Sequence, residues 1–409
     1  MLVGIGTPTA VQRKVWGEPF YALPSPDNYR AAVYVMRLTH RDQAASLPGL
    51  DQREADGRLA PSLLRDAAEL AIRNGSGELD VAIVHVPEDE GRAALLPWEL
   101  APTPVIEELD QVLDRYLERR LGAVIVVPDA GGPTLLVPGA PLASVAERRT
   151  RLVQNVQRLS RRWHERYQVG LVDVVAEEGR VLDDEHWLEP LVNLDLGVCA
   201  WAGDLHALGR HGWRCAAAAV GAALAKGMRD LGDGGVAPAL SKRKLELGPG
   251  RVPLHVPPVW AVPAPPQSRP QSRQLVVVEA AADDVGRVLA ETSLRAPLGD
   301  WPLTAVWTAR LIVRRIETVA AAFVFANANP VTVEQLRIAM AYGLRVFIAE
   351  GILVSPKTGS TVEIHVAVEG ERQSPRLVVE MAAILRPWQV QIDVNVEVVR
   401  DVGARVTLT

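Results

Sequence analysis

An α/β fold, built as a mostly parallel sheet flanked by helices and followed by a smaller α+β C-terminal domain with terminal β-strand arms, is what this 409-residue sequence predicts. Three observations carry that reading. Short apolar strands alternate with helices of about ten to twenty residues, the signature of βαβ units. A proline-rich stretch then interrupts the alternation, and beyond it stand a capped amphipathic helix and a strand that alternates without a fault.

Taken in order, residues 1–60 read as an N-terminal arm and irregular segment, with scattered prolines, the polar run DQREADG and one strand at Ala31–Leu38. From 61 to 247 the chain settles into an α/β core. Pro61–Arg73 places Leu64, Ala67 and Ala71 on one helical face and stops at Asn74-Gly75. Leu79–Val86 is a strand, and Val105, Leu109, Val112, Leu113, Tyr116 and Leu117 recur at helical spacing. Gly122–Asp129 is wholly apolar at its centre, as a strand covered on both faces must be. A helix through Val145, Leu152, Val156, Leu159 and Trp163 follows, then strands at Val169–Val175 and Leu196–Trp201 and a small-residue helix at Arg214–Lys226.

The prolines of 248–274 exclude helix and sheet interior and favour a stiff, extended linker, which puts the domain boundary there. In 275–409, Leu275–Glu279 is a strand followed by a short helix, and the apolar run closed by Asn329-Pro330 reads as another strand. Thr332 with Gln335 forms a capping box. Val333, Leu336, Met340, Leu344 and Phe347 make the stripe of the helix that Gly351 ends. Thr361–Val368 alternates, and so does the last strand, with Val390, Ile392, Val394, Val396 and Val398 on one side and Gln391, Asp393, Asn395 and Glu397 on the other. Such a strand buries one face only. Near a chain end it offers a free edge, and an unshielded edge suggests pairing with another subunit.

Composition removes several classes of function. Hydrophobic residues make up 48% of the chain, enough for a sizeable core, and the formal net charge of -5 supplies no basic face for nucleic acid. No stretch reaches the roughly 20 apolar residues of a membrane span. The opening MLVGIGTPTAVQRKVWG lacks the basic-then-apolar order of a signal peptide, and two cysteines do not make a disulfide framework. A cytosolic protein is expected.

Catalytic motifs are missing. There is no phosphate-binding G-x-x-x-x-G-K-[ST], no G-x-S-x-G elbow and no H-E-x-x-H pair, and Asp129–Gly139 after its strand reads as a plain turn. No cofactor and no catalytic residue is expected. Cys199, His206, His211 and Cys215 are residue types that zinc prefers. They lack a C-x-x-C knuckle, however, and Cys199 sits in an apolar strand, so they read as a strand, a loop and a helix that contain them; zinc stays an alternative. Arg158, Arg161, Arg162 and Arg166, and Arg314-Arg315, read as solvated helix faces, with docking to an acidic partner as the sharper option.

Four segments carry a family resemblance: LRDAAELAIRNGSGELDVAIVHV, LVQNVQRLSRRWHERYQVGLVDVV, LVNLDLGVCAWAGDLHALGRHGWRCAAAAVGAALAKGMRDLGDGGVAPA and ARLIVRRIETVAAAFVFANANPVTVEQLRIAMAYGLRVFIAEGILV. Together, and in this order, they resemble the contractile tail-sheath family of bacteriophages and phage-derived contractile injection systems, over roughly Leu64 to Val398. Arg314, Arg315, Glu317, Phe325, Asn327 or Asn329, and Gly351 match best. The family's P-G-V-Y-V opening is not evident, and the proline-rich stretch stands where a glycine-asparagine and W-G-A-R-T region is expected.

The resemblance implies a structural, non-enzymatic subunit that stacks in rings as a helical sleeve around an inner tube and ejects it by contraction. It implies strand exchange between subunits, through about the first twenty residues and through Val390, Ile392, Val394, Val396, Val398, Val406 and Leu408. Arg314, Arg315, Arg337 and Arg345 become candidates to face an acidic inner tube. Implied partners are copies of the same chain, the tube protein, baseplate and cap proteins and other sheath paralogues, in a particle assembled in the cytoplasm, with extracellular release as an option. The alternatives are a non-contracting paralogue at the baseplate or cap, and an α/β enzyme with its pocket at the strand ends.

Overall fold

The structure, a computed structural model, describes residues 2–5, 21–22, 32–40, 42–45, 63–75, 79–85, 124–126, 153–154, 157, 169–173, 196–202, 215–230, 240, 244–247, 275–280, 285–293, 301–359, 362–370, 375–399 and 403–408. The expected helix at Val105–Leu117, the proline-rich stretch, most of the helix at Val145–Trp163 and the arginine face at 158–166 lie outside them. Two compact units are present, one comprising Met1–Lys226 with Pro238–Leu303, the other Gly227–Ala237 with Thr304–Thr409.

A ten-stranded sheet forms the first unit. With strands numbered in chain order, its centre runs parallel as β4 (Leu79–His85), β1 (Leu2–Ile5), β5 (Val124–Val126), β6 (Val169–Asp173), β7 (Leu196–Ala202) and β9 (Val276–Ala280). Antiparallel strands finish both sides: β3 (Ala32–Leu38) and β2 (Tyr21–Ala22) beyond β4, and β10 (Val285–Glu291) and β8 (Lys244–Glu246) beyond β9. All residues of β5 and β6 are buried, as a sheet covered on both faces requires. The helices are α1 (Asp42–Ala45), α2 (Leu63–Asn74) and α3 (Ala216–Asp230). Leu64, Ala67, Ala68, Leu70 and Ala71 seat α2, which packs on β1, β4 and β8.

Three expectations need correction. Leu2–Ile5 is not part of an arm. It is an interior strand, held in parallel register by β4 on one side and β5 on the other. The proline-rich stretch does not separate the units, because β8 before it and β9 after it both border β10 in one sheet. And among the described residues after β9 there is a strand where a short helix was expected: Val285–Glu291 turns back antiparallel, with a bulge between Val288 and Ala290.

The second unit consists of α4 (Leu303–Ala321), α5 (Pro330–Ala349) and an antiparallel sheet of β11 (Leu353–Val354), β12 (Ile364–Glu369), β13 (Arg376–Leu385), β14 (Val390–Val399) and β15 (Gly403–Leu408). Ala305, Val306, Ala309, Ile312, Val313, Ile316 and Ala320 bury the inner side of α4 at helical spacing. The apolar run before Asn329 is therefore helix followed by turns, and not the expected strand. Asn329 caps α5: its Oδ1 accepts from the Thr332 N–H at 2.9 Å, and Pro330 opens the first turn. The helix thus starts ahead of the expected Thr332 cap. It packs on β11 and β12, and Gly343 brings it close to α4, where a Cβ would stand 2.9 Å from Val319 Cγ2.

Candidate assembly interface

The alternation of the last long strand survives intact in β14, where Val390, Ile392, Val394, Val396 and Val398 are all buried and Gln391, Asp393 and Asn395 are exposed. They form the core of the second sheet. The expected free edge is not there, however. β14 pairs with β13 over its whole length, from Arg376 opposite Val399 to Leu385 opposite Val390, and with β15 on its other side. The edge has moved outward to β15. Its Val406 sits opposite Val396 and its Leu408 opposite Val394, each half-buried, so they extend the same apolar face. Among the described residues no strand pairs the outer side of β15, so it stands at the edge of its sheet.

The other face of this sheet is polar. His365, Glu380, Asn395 and Thr407 stand in one row across four strands, lining an open groove of about 710 Å³. Arg376 ties three of these strands together, reaching Glu369 at 3.1 Å and Glu397 at 3.2 Å. Exposed pairs of this kind fix register more than they stabilise.

The four arginines singled out in the sequence fall on α4 and α5, in different settings. Arg314 is half-buried; burial first, and the neighbouring charge of Arg315 second, lower its pKa, yet a guanidinium stays charged. Arg315 is exposed. Arg337 is engaged by Glu334 one turn away, which offsets its charge locally. Arg345 lies 3.7 Å above the Tyr342 ring centroid, a cation–π contact that holds the guanidinium against the helix surface.

What the sequence reading missed is apolar surface on and before α5. Phe325 (78% exposed), Val331, Ile338 and Tyr342 (64%) are the large exposed apolar side chains of this region. The last three share one face of α5, opposite the buried Leu336, Met340, Leu344 and Phe347. The signal was available: α5 carries apolar residues on two sides, more than one core contact needs.

The cysteine and histidine cluster gives no metal centre among the described residues, where no group of three or more ligating side chains assembles. His206 and His211 lie outside them, and the Cys215 thiol donates to the Asp173 carboxylate instead. No described helix is long and apolar enough to cross a membrane.

Solved structures from contractile assemblies share this fold. The chain is similar to the helical sheath of the anti-feeding prophage (AFP) in its contracted state, with a TM-score of 0.51 and 13% identity over 90% of this chain and 82% of that one. It is similar to the AFP baseplate (TM-score 0.53, 12% identity, 90% and 82% covered) and to the contracted PVC sheath complex of an extracellular contractile injection system (0.52, 11%, 91% and 81%). At such identities the likeness establishes the fold. No protein-family model matches the chain, and no curated protein does.

Proposed function

We propose that this chain is a structural subunit of the contractile sheath of a phage-tail-like injection system, polymerising around an inner tube and driving its ejection. The observation that carries the reading is the edge position of β15 on a sheath fold that spans nine-tenths of the chain. In the isolated chain β15 pairs with its own β14 through the short connection 400–402. The same ladder can form between copies when β15 swings to a neighbour, so exchange replaces each hydrogen bond by an equivalent one. A short connection favours that swing, and Gly403, at φ +141, provides a backbone conformation that other residues rarely adopt.

In this arrangement Val406 and Leu408 are the exchanged anchors, and Val390 to Val398 are the receiving core. Arg315, Arg345 and the exposed stripe of α5 face the inner tube. Assembly takes place in the cytoplasm, against a baseplate, a cap and other sheath paralogues. A second reading is a paralogue seated at the baseplate without contracting itself, which the match to a baseplate structure favours. Removing Gly403–Thr409 tests the first. The truncated monomer is expected to stay folded and to form no sleeves in electron micrographs, and unaltered sleeves would overturn the exchange. The full-length chain forming single rings, never sleeves, would select the baseplate reading.

A further inference from the structure

β15 lies along the outer side of β14, from Leu408 opposite Val394 to Gly403 opposite Val399. Its two faces are matched to that place. On the apolar side Val406 stands against Val396 and Leu408 against Val394. On the polar side Arg405 stands against Glu397 and Thr407 against Asn395, where they line the groove. A slip of one residue would turn Val406 and Leu408 toward that groove and Arg405 toward the core, so the pattern of the strand fixes its register.

The strand is nevertheless loosely seated. Val406 and Leu408 are half-buried, whereas Val394, Val396 and Val398 are fully buried. β14 keeps β13 along its whole length, so the other four strands stay paired when β15 leaves. An edge strand of this kind opens locally at far lower cost than the sheet that carries it.

We propose that the outer side of β14 is a strand-binding site for the 403–408 segment of a second copy, and that the chain's own β15 is its internal plug. The site takes an extended segment with a cation opposite Glu397, a branched aliphatic side chain opposite Val396, a small hydroxyl opposite Asn395 and an aliphatic one opposite Val394. Main-chain hydrogen bonds give such a site its affinity, and alternate side chains select the strand. The chain's own segment meets the same pattern at the high effective concentration of a tethered group, so the free subunit is closed. Its apparent affinity for another copy falls in proportion to the fraction of chains whose β15 has opened. This plug rests on the exchange proposed above and regulates it, while its operation is measurable on single chains.

A labelled peptide of residues 403–409, titrated with full-length chains and followed by fluorescence anisotropy, tests it. Val406→Asp/Leu408→Asp spoils the apolar side of the resident strand. In Asn395→Cys/Thr407→Cys a disulfide between directly opposed, exposed positions holds that strand down, away from the buried Cys199 and Cys215. The aspartate variant is expected to bind the peptide at least about tenfold more tightly than the wild type, because its site stands open. The oxidised double-cysteine chain is expected to bind none until it is reduced, and a scrambled peptide of the same composition to bind no chain. Equal binding by the wild type and the aspartate variant, or binding by the oxidised chain, overturns the plug. Indifference to scrambling overturns the strand pattern. Should the aspartate variant fail to fold, hydrogen exchange on the wild-type monomer decides: protection of the 403–408 amides that excess peptide removes supports the plug, and unprotected amides, or protection that the peptide leaves unmoved, reject it. Sleeves in micrographs without this discrimination would remove the plug and keep the sheath; discrimination without sleeves would do the reverse.

Discussion

Asn74 and Glu246 hold each other as two neighbouring strands would. Asn74 Oδ1 accepts the Glu246 N–H at 2.8 Å, and Asn74 Nδ2 donates to the Glu246 carbonyl at 2.9 Å. Nδ2 also donates to the Leu70 carbonyl at 2.9 Å, so the last turn of α2 is closed by the same amide. Glu246 belongs to β8, the outermost strand of the ten-stranded sheet. One side chain thus does for an open sheet edge what a further strand would do, and ties it to a helix 172 positions earlier in the chain.

Asn74→Ala is expected to destabilise the first unit by about 1–2 kcal/mol, because it leaves part-buried backbone groups of Glu246 and a buried carbonyl of α2 without this partner. Asn74→Asp should be worse than Asn74→Ala. Its carboxylate can still accept from Glu246 N–H, but it turns a second acceptor on the carbonyls of Leu70 and Glu246. Urea midpoints at unchanged slope measure both. Equal stability of Asn74→Asp and wild type would remove the edge-closing role.

This clamp shows where legibility ended. The Asn74-Gly75 stop is plain in the sequence; that Asn74 reaches β8 is not, because nothing local encodes a contact across so many residues. The same division runs through the fold. The apolar runs of β5, β6 and β7 and the alternation of β14 announce strands covered on two faces or on one. They say which face is buried, never which strand lies alongside. So Leu2–Ile5 passed for an arm while it occupies the middle of a sheet, and β14 passed for an edge while β15 covers it. β13 escaped notice for a local reason: Leu377, Val378 and Val379 are buried in succession, which breaks the period of two. At the site, the arginines were visible as charges, but Arg337 is met by Glu334 and Arg345 by Tyr342, pairings that depend on helix geometry.

Gly343 offers a second measurement. A Cβ built there would come 2.9 Å from Val319 Cγ2, closer than side chains tolerate, so α4 and α5 owe their approach to the missing side chain. Gly343→Ala gains helix propensity of up to about 1 kcal/mol, which offsets part of the clash. Gly343→Leu gains nearly as much propensity but carries a far larger side chain into the same contact and forces the helices apart, with an expected net loss of about 1–3 kcal/mol. Thermal unfolding of the two variants separates these effects. If Gly343→Leu were as stable as Gly343→Ala, the close crossing would be of no consequence.

The exposed stripe of α5 supports a prediction that separates binding from folding. Ile338 and Tyr342 lie on the side of the helix away from its buried residues, and Arg345 rests on the Tyr342 ring. Substitution there removes no core contact, so Ile338→Ser and Tyr342→Ser should each leave monomer stability within about 0.5 kcal/mol of the wild type. If this face receives the inner tube, the same changes remove aromatic and aliphatic anchors of the kind that dominate interfaces. Arg345→Glu reverses a charge at the same spot, while Arg337→Glu acts on a guanidinium already met by Glu334. The expected order of loss in tube co-sedimentation is therefore Tyr342→Ser and Arg345→Glu first, Arg337→Glu last. Salt should weaken wild-type binding less than it would a purely ionic contact, since the apolar stripe is not screened. Tube recovery unchanged in Tyr342→Ser and Arg345→Glu, with both variants folded, would place the tube on another surface.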